Sequence, residues 1–365
     1  MKTLIYRLIR YLNYLFIGAL LLSYLSVYIS PEKIWLLAFF GLAYPFLLIS
    51  NLIFAVFWIY KKKRIFILSL LTILLGWNYL STYIQIPLKK NKREIYPSEQ
   101  RFNVLSFNVR LFDLYEWNET ENTPEEIFKF INDKDFDLIC FQEFFTQNKG
   151  DLTKRKILKK LTEEYNTHID YTIENKNYNY GIATFSKYPI VNRGVINFSN
   201  SSNSCIYTDV LIKEDTIRIF NNHLQSIRFN KNNYSFITNT NALKDDERLK
   251  EIKDISFRLR DAFIKRAKQA KIISQHIQNS PYPVVVCGDF NDVPVSYTYK
   301  KMKKNLDDSF MESGKGIGTT YMGKFPSFRI DFILHSKNIK CLDFEIHDVR
   351  LSDHYPVSSE FTLER

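Results

Sequence analysis

The sequence has few of the residues that build disulfide scaffolds and zinc sites. Only four cysteines occur in 365 residues, and no two of them form a C-x-x-C pair; they are Cys140, Cys205, Cys287 and Cys341. This spacing argues against a zinc site. Three of the four lie in strand-like apolar runs, so the cysteines are predicted to be small buried hydrophobic residues. The sequence also contains no internal repeat and no low-complexity tract.

Acidic residues are nearly absent from the first quarter of the chain. Residues 1–94 hold 12 Lys and Arg but only two acids, whereas residues 95–365 hold 38 basic and 37 acidic residues. The formal net charge of +11 therefore belongs almost entirely to the N-terminal part. The near-neutral remainder does not support a basic track along a nucleic-acid backbone, although it does not exclude one.

The N-terminal part instead contains long apolar segments. Each of three segments is near or above the ~18 to 20 apolar residues needed to cross a bilayer: residues 11–29, 34–60 and 65–86. A cleaved signal peptide would explain the first segment alone, and a buried helical hairpin in a soluble protein is a further alternative. The pattern favours a membrane domain of three transmembrane helices at 1–86, a linker at 87–100 and a second domain at 101–365.

Basic residues flank these segments unevenly. If the chain crosses a membrane three times, seven basic residues, including Arg7, Arg10 and those at 61–64, lie on one side and five lie on the other. The positive-inside rule then favours a cytoplasmic N-terminus and a second domain outside the cytoplasm. The predicted location is the inner or plasma membrane, with a multi-pass anchor and an extracytoplasmic second domain.

The second domain alternates between strand-like and helix-like patterns. Thr123 followed by Pro124 and two acids is typical of a helix start. A long stretch near 242–278 has apolar residues at helical spacing, and strand-like runs precede and follow it. The alternation predicts an α/β domain.

The most informative stretch is "VVVCGDFNDVP" at residues 284–294, in which a buried strand ends in Asp289, Asn291 and Asp292. A turn alone would explain these residue types. Other strands, or the turns beside them, carry similar polar groups, however: Asn108, Glu143, His223, Asp331, and Asp353 with His354 in "LSDHYP". Together they predict one site rich in carboxylate and amide oxygens with two histidines. Oxygen ligands suit Mg²⁺, with Mn²⁺ as an alternative, and a histidine beside a carboxylate suits proton transfer.

Two of these motifs carry a family resemblance. "GDFN" at 288–291 and "SDH" at 352–354 resemble motifs of the endonuclease/exonuclease/phosphatase superfamily, which includes pancreatic-type deoxyribonuclease, abasic-site endonucleases, neutral sphingomyelinases and inositol polyphosphate 5-phosphatases. The resemblance covers residues 101–364. It implies a four-layer α/β sandwich, in which two packed mixed sheets are flanked by helices, and it implies Mg²⁺-dependent hydrolysis of a phosphate ester.

The resemblance also assigns metal ligands. Glu143 resembles the principal metal-binding glutamate, Asn108 resembles its amide neighbour, and Asp353 would complete the metal site. Arg110 is a departure, because several nucleases have an acid two residues after the asparagine of the first strand. This difference argues against a second metal and against close kinship to abasic-site enzymes.

The remaining roles concern the reacting phosphate. His354 resembles the histidine at the scissile phosphate, and Asp331 resembles the carboxylate that orients it. Asp289 would position or deprotonate the attacking water. Asn291 and His223 would hold phosphate oxygens in the transition state, which agrees with the need of phosphoryl chemistry for positioning and charge neutralisation.

The membrane segments favour a substrate at or near the bilayer. The arrangement resembles membrane-tethered bacterial members of the superfamily for which a lipid-linked pyrophosphate is a suggested substrate. Arg329 is predicted to contact the substrate, and the glycine-rich stretch 314–326 either does so too or is a surface loop. An extracytoplasmic nuclease that uses the basic loops 149–160 and 228–232, and a non-catalytic binding protein, are the alternatives. Nothing in the sequence indicates an oligomer.

Overall fold

The chain folds into an N-terminal helical bundle and a two-sheet C-terminal domain. The computed structural model describes residues 2–86, 101–116, 122–161, 164–199, 201–229, 233, 236, 245–323 and 327–363. The bundle contains helices α1 (Lys2–Ser26), α2 (Leu36–Leu42), α3 (Tyr44–Tyr60), α4 (Phe66–Leu75) and α5 (Trp77–Leu80). The predicted linker at 87–100 lies outside the described residues.

Polar side chains connect the helices inside the bundle. Trp58 of α3 donates to Asn13 Oδ1 of α1 over 2.9 Å, and Asn13 Nδ2 donates to Ser69 Oγ of α4 over 2.9 Å. At the other end of α1, Leu20 packs with Leu47 near the start of α3. The end of α3 and the beginning of α4 therefore lie beside the first half of α1, so α3 runs opposite to α1.

The bundle does not contain three helices that each span a membrane. Among the described residues, α1 alone is long and apolar enough to do so. Helices α2 and α3 pass the same test only together, and they are bent by 64° at their junction, where Pro45 lies in the first turn of α3. Helix α4 has 10 residues and ends at Gly76. The prediction of three transmembrane helices is therefore corrected to one helix of spanning length and one broken pair, and a multi-pass location is not supported.

The C-terminal domain contains two six-stranded mixed sheets. One has the strand order β13-β14-β2-β3-β5-β4 and the other β10-β12-β9-β8-β7-β6. The bounds are β2 Arg101–Asn108, β3 Leu138–Gln147, β4 Asn166–Glu174, β5 Tyr178–Ser186, β6 Ile190–Asn197, β7 Ser204–Ile212, β8 Asp215–His223, β9 Val284–Asp289, β10 Leu306–Asp308, β12 Asp331–Ser336, β13 Ile339–Ile346 and β14 Val357–Leu363. Each sheet has one parallel pair, β2 with β3 and β8 with β9, and its other pairs are antiparallel.

Three apolar layers hold this domain together. Side chains of both sheets meet in a central layer that includes Val104, Leu138, Ile219 and Val285. On the outer face of one sheet lie the helices Thr123–Lys134 and Lys154–Lys160, and on the outer face of the other lies the long helix Asp245–Gln278. The predicted α/β fold of two mixed sheets flanked by helices is confirmed. All four cysteines are free and buried, as predicted.

A third, two-stranded sheet connects the two regions. Strand β1 (Ile84–Gln85), which follows the bundle, pairs with β11 (Gly316–Ile317) of the C-terminal domain. Phe39 of α2 also contacts Phe263 of the long helix, with ring centroids 5.3 Å apart. The bundle is therefore docked onto the C-terminal domain.

Candidate active site

The polar residues predicted from the strand ends converge on one edge of the paired sheets. Asn108, His223 and Asp289 are the last residues of β2, β8 and β9. Asp331 begins β12 directly opposite Asp289, and His354 lies three residues before β14. Because the first three strands end at the edge where the last two begin, residues far apart in sequence lie close together.

A bulge directs Glu143 toward the same edge. The pairing of β3 with β5 shifts in register between Phe141 and Phe144, and Glu143 has a left-handed backbone with φ of 52°. Such a bulge turns a side chain out of the regular alternation of a strand. Asn108 hydrogen-bonds the Glu143 carboxylate, and Asp353 is close enough for its charge to act on it. The three predicted metal ligands are thus neighbours.

Gly288 allows the strand conformation that presents Asp289. Its φ is 133°, and a Cβ atom at this position would lie 2.0 Å from the backbone oxygen of Asn222. Asp289 is buried and accepts hydrogen bonds from the backbone N of Asn291 at 2.7 Å, from its side-chain amide at 2.9 Å and from Asn108 Nδ2 at 3.0 Å. The side-chain amide of Asn291 also donates to the backbone oxygen of Leu224 at 3.0 Å. These bonds fix the carboxylate in one orientation.

His354 and Asp331 form a buried pair. His354 Nδ1 lies 3.1 and 3.0 Å from the two carboxylate oxygens of Asp331. Its Nε2 points toward Asp289, whose Oδ2 is 3.8 Å away, and the ring of Tyr321 packs edge-on against the imidazole. The pair therefore leaves Nε2 directed into the site.

His223 stands between two carboxylates without bonding to either. Its Nε2 is 3.7 Å from Glu143 Oε1 and 3.8 Å from Asp289 Oδ2, and among the described residues it has no hydrogen-bond partner. Burial, together with the positive charges of His354 and Arg228, lowers the pKa of His223 to about 3. The ring is therefore neutral at physiological pH, with one buried nitrogen still to be satisfied.

The site buries more negative than positive charge. Burial raises the pKa of Glu143 to about 7, and the charge of Asp353 adds to this effect. Burial and the charge of Asp331 likewise raise the pKa of Asp289 to about 7. Although burial lowers the pKa of His354, the charges of Asp331 and Asp289 raise it well above its usual range. One histidinium does not neutralise this cluster, which is an environment that attracts a cation.

The residues present fit a divalent metal ion. Glu143, Asn108 and Asp353 offer two carboxylates and one amide oxygen, which are hard ligands of the kind Mg²⁺ prefers. Asp289, Asp331 and His354 also offer ligand atoms within 4.8 Å of one another. In that second group, His354 Nδ1 is already hydrogen-bonded to Asp331. Burial and the charge of Asp353 raise the pKa of Glu143 although the charges of His354 and Arg110 act in the opposite direction, so this carboxylate is only partly compensated and the first group fits a cation better.

Arg329 is not part of the site. Its side chain is fully buried, forms an ion pair with Asp308 and donates to the backbone oxygen of Thr82 over 3.0 Å. Its guanidinium also packs against the rings of Phe310 and Phe332. The predicted substrate contact is corrected, because this guanidinium is enclosed by protein on all of these sides.

Other residues near the site were not predicted as functional. Arg110, noted only as a departure from the nuclease pattern, lies 3.4 Å from Asp353 Oδ2 through its Nε. Burial raises the pKa of the Tyr180 hydroxyl, and the nearby charges of Glu143 and Asp289 raise it further. Tyr180 has no local sequence signal, because the pairing of β5 with β3 brings it to the site. Arg110 follows Asn108 by two residues, but the sequence does not reveal its contact with Asp353.

Comparisons with known proteins agree with this architecture. The endonuclease/exonuclease/phosphatase family matches residues 105–354, and a domain of unknown function (DUF8431) matches residues 6–83. None of the curated proteins matches the chain.

Solved structures share the fold at low sequence identity. An endonuclease/exonuclease/phosphatase from Bacteroides vulgatus is 17% identical with a TM-score of 0.53, covering 72% of this chain and 99% of that one. A family protein from Bacteroides thetaiotaomicron is 16% identical with a TM-score of 0.53, covering 73% and 98%. The human Nocturnin catalytic domain with bound sulfate is 19% identical with a TM-score of 0.50, covering 74% and 96%. Because the family match spans residues 105–354, well over half of the chain, this protein belongs to the endonuclease/exonuclease/phosphatase family.

Proposed function

We propose that this protein is a membrane-anchored, metal-dependent phosphoric ester hydrolase that acts outside the cytoplasm on a phosphate ester at or near the bilayer. The observation that carries the hydrolase assignment is the buried cluster at the sheet edge. It combines two carboxylates of raised pKa, Glu143 and Asp289, with a histidinium, His354.

Each residue of the cluster has a chemical task. A divalent cation held by Glu143, Asn108 and Asp353 would neutralise charge on the phosphate oxygens. Asp289, whose pKa is about 7, is matched to accept a proton from an attacking water near neutral pH.

The two histidines act on the phosphate in different protonation states. Asp331 orients His354, so its protonated Nε2 donates to an oxygen of the phosphoryl group as negative charge builds there. His223 is neutral, and its unpaired Nε2 faces the space between Glu143 and Asp289. A tautomer protonated at Nε2 would give the phosphate a second donor.

Exposed apolar side chains support the membrane anchor. Leu15 of α1 is 66% exposed, Ile53 of α3 is 63% exposed and Leu71 of α4 is 58% exposed, while Asn13 is fully buried between these helices. Apolar surface of this extent on several helices is unfavourable in water and indicates contact with lipid.

The distribution of charge on the bundle supports the orientation. Arg7, Arg10 and the basic run at 61–64 lie at one end, because the end of α3 meets the first half of α1. The opposite end packs on the C-terminal domain, where Val295 joins a cluster with Tyr44. Basic residues favour the cytoplasmic side, so the catalytic domain would face away from it.

The hydrolase proposal is tested with the purified full-length protein in detergent micelles. The substrates are polyprenyl pyrophosphate, sphingomyelin, inositol phosphates, DNA and RNA, each with Mg²⁺ or with EDTA. We expect hydrolysis of a lipid-linked ester that requires Mg²⁺. Equal activity in excess EDTA would contradict the metal mechanism, and a preference for DNA or RNA would overturn the substrate class.

Glu143→Gln isolates the metal site in the same assay. It keeps the shape of the side chain but removes the main anionic ligand, so we expect a rate at least ~100-fold lower, the cost typical of losing a key electrostatic group. Glu360→Gln is the matched control, because Glu360 is partly exposed and pairs with Arg101 on the surface. A Glu143→Gln rate close to that of the control would remove Glu143 from the site.

A reporter fusion tests the orientation. A phosphatase that is active only outside the cytoplasm, fused after residue 100, is expected to be active. Activity of a cytoplasm-only reporter at the same position would reverse the proposed orientation.

A further inference from the structure

Two features that the hydrolytic site does not use lie on the path between the bundle and the active site. The first is the glycine-rich stretch, of which residues 314–323 are described. The second is Arg329, which is buried and yet only two residues from Asp331. Both contact the last residues of the N-terminal region, 82–85.

One end of the glycine-rich stretch is bound to the N-terminal region. Ile317 lies opposite Ile84 and Gly316 lies opposite Gln85 in the two-stranded sheet. Gly318 N continues the ladder by donating to the backbone oxygen of Tyr83 at 2.8 Å. Backbone pairing of this kind holds a segment in register with its partner.

The other end is bound to the residues around His354. Tyr321 forms an isolated β-bridge with His354, and their rings are 5.2 Å apart at 71°. Met322 N donates to the backbone oxygen of Asp353 at 2.9 Å, and Tyr355 N donates to that of Thr320 at 2.7 Å. Gly318, which bonds to the N-terminal region, and Met322, which bonds to Asp353, are therefore close together along the chain.

Arg329 makes a second connection between the same two places. Its guanidinium donates to the Thr82 backbone oxygen and pairs with Asp308. The next two backbone N–H groups, of Ile330 and Asp331, both donate to Thr320 Oγ1 at 3.0 Å. The backbone of Asp331 is thus held by Thr320 of the loop, and the chain two residues before it is held by an arginine bound to the N-terminal region.

We infer that the N-terminal domain is a positioning element of the active site, and that Arg329 is a positioning residue through which it holds Asp331 and His354. The inference rests on the proposed hydrolase function. It assigns to the N-terminal domain a role besides anchoring. Residues 82–85 position the loop at 314–323, which packs on His354. Misplacement of a reacting group by about 1 Å can lower a rate by ~100-fold.

The test uses full-length protein with the Arg329 connection removed. Arg329→Met with Asp308→Asn removes both charges of the buried pair, so neither is left alone. The Asp308→Asn change keeps the helix cap, since an asparagine oxygen also accepts from Phe310 N, as Asp308 Oδ1 does at 3.0 Å. We expect kcat to fall by about 10- to 100-fold while KM changes by less than about 3-fold, because positioning acts on the transition state.

A reversible cross-link separates positioning from general destabilisation. In the same background, Ile84→Cys with Ile317→Cys places two thiols directly opposite each other at exposed positions, while the four native cysteines stay buried. The hydrogen bond from Gly318 to Tyr83 makes this a non-hydrogen-bonded pair, the closer kind in an antiparallel ladder. We expect oxidation to restore most of kcat and a reductant to remove it again.

Hydrogen exchange gives a readout that does not depend on activity. Amides of Gly318, Met322 and Tyr355 are expected to exchange faster in the Arg329→Met/Asp308→Asn variant and to slow again after oxidation of the introduced pair. An unchanged kcat in that variant, or a loss that oxidation does not restore, would overturn the inference. If wild type hydrolyses none of the substrates, the proposed function fails, and exchange alone decides whether the N-terminal domain holds the loop.

Discussion

The two regions of this protein differ in where their large apolar side chains lie. In the bundle, Asn13 and Asn51 are fully buried while Leu15 and Ile53 face outward. In the catalytic domain, the space between the sheets is filled by apolar side chains such as Val285. The difference agrees with the proposed membrane anchor, in which each region would meet a different solvent. Water drives apolar groups inward, whereas hydrocarbon leaves helix contacts to hydrogen bonds and close packing.

Two buried polar residues, one from each region, differ in how fully their hydrogen-bonding groups are satisfied. Asn13 uses both its amide nitrogen and its oxygen in bonds to Ser69 and Trp58. His223 of the catalytic domain, in contrast, leaves its Nε2 unpaired among the described residues. A satisfied group stabilises a contact, while an unsatisfied one between carboxylates is available to a ligand. Asn13 therefore has a structural role, whereas His223 is available for binding or catalysis.

The largest expected effect on the rate separates Asp289, which would act in catalysis, from Asp292, which has a structural role in the same motif. Asp289→Asn removes the carboxylate that would take a proton from water, so we expect the rate to fall by ~10² to 10⁴. It also removes the acceptor of the Asn108 and Asn291 amides, at a cost of about 1 to 3 kcal/mol of folding free energy. Asp292 is buried beside Arg266, with Arg266 Nε 3.4 Å from its Oδ2. Asp292→Asn should cost about 1 to 3 kcal/mol of folding free energy and leave the folded enzyme within a few-fold of wild type.

Steady-state rates and thermal unfolding of both variants give the measurement. From the sequence alone, Asp292→Asn would be expected to change neither activity nor stability. Because Asp292 pairs with Arg266, the variant instead shows how much a loss of stability by itself affects the rate. Retention of most activity by Asp289→Asn would mean that β9 ends in a turn without catalytic use.

The next effect concerns pH in the absence of metal. The pKa of Glu143 is raised from 4.5 to about 7, so between these values the folded state holds a proton that the unfolded state has released. Stability from this group is therefore present below pH 4.5 and is lost as pH rises through 7. The loss amounts to about 3 kcal/mol.

Chemical unfolding in EDTA at about pH 5 and about pH 8, on either side of the raised pKa, measures this loss, with Glu143→Gln as the reference that cannot titrate. Wild type should lose stability relative to the variant on going to the higher pH, and Mg²⁺ should restore it by binding the charged form. A difference that does not change with pH would argue against the raised pKa.

The smallest effect compares one substitution in both regions. Asn221 lies between the sheets, accepts from Gln142 Nε2 at 2.7 Å and donates to the backbone oxygen of Ala183 at 2.9 Å. Asn221→Leu should cost about 1 to 3 kcal/mol, because it leaves buried partners unpaired. Asn13→Leu should cost about 1.2 kcal/mol, because it removes two hydrogen bonds and each bond between membrane helices averages about 0.6 kcal/mol.

Urea unfolding of the catalytic domain and SDS titration of the bundle, both in the full-length protein in micelles, give the two values. A larger cost for Asn13→Leu than for Asn221→Leu would show that the bundle is packed like a water-soluble core. In that case the proposed contact with lipid would be wrong.

The residues that converge at the sheet edge were predictable because their signals are local. A buried strand followed at once by Asp289 and Asn291, or a short "SDH" before a closing strand, is visible within a few residues. Because these residues lie at strand ends, the sheets bring them to one edge, and no other long-range contact had to be predicted. The α/β class followed in the same way from alternating patterns.

Features that depend on contacts between distant segments were not predictable. Hydropathy runs without interruption through the junction of α2 and α3, so the 64° bend is invisible to it. Strand β4 (Asn166–Glu174) was missed because its residues are mostly half-exposed and show no clear alternation. The position of Arg329 next to "ID" resembled a site residue, and only the fold shows that Asp308 and Thr82 enclose its guanidinium.

The strand order of the first sheet sets a limit on when the enzyme becomes active during its synthesis. Strand β2, which carries Asn108, lies between β3 and the last strand, β14, and Ser106 is paired with Val357. Ser352 Oγ, just before β14, closes the same edge by donating to the backbone oxygen of Asn108 at 2.8 Å. Contacts this distant along the chain form slowly and cannot form at all until the final residues emerge. The histidine–aspartate pair therefore cannot be held at this sheet edge until β14 has been synthesised, long after the helices of the bundle.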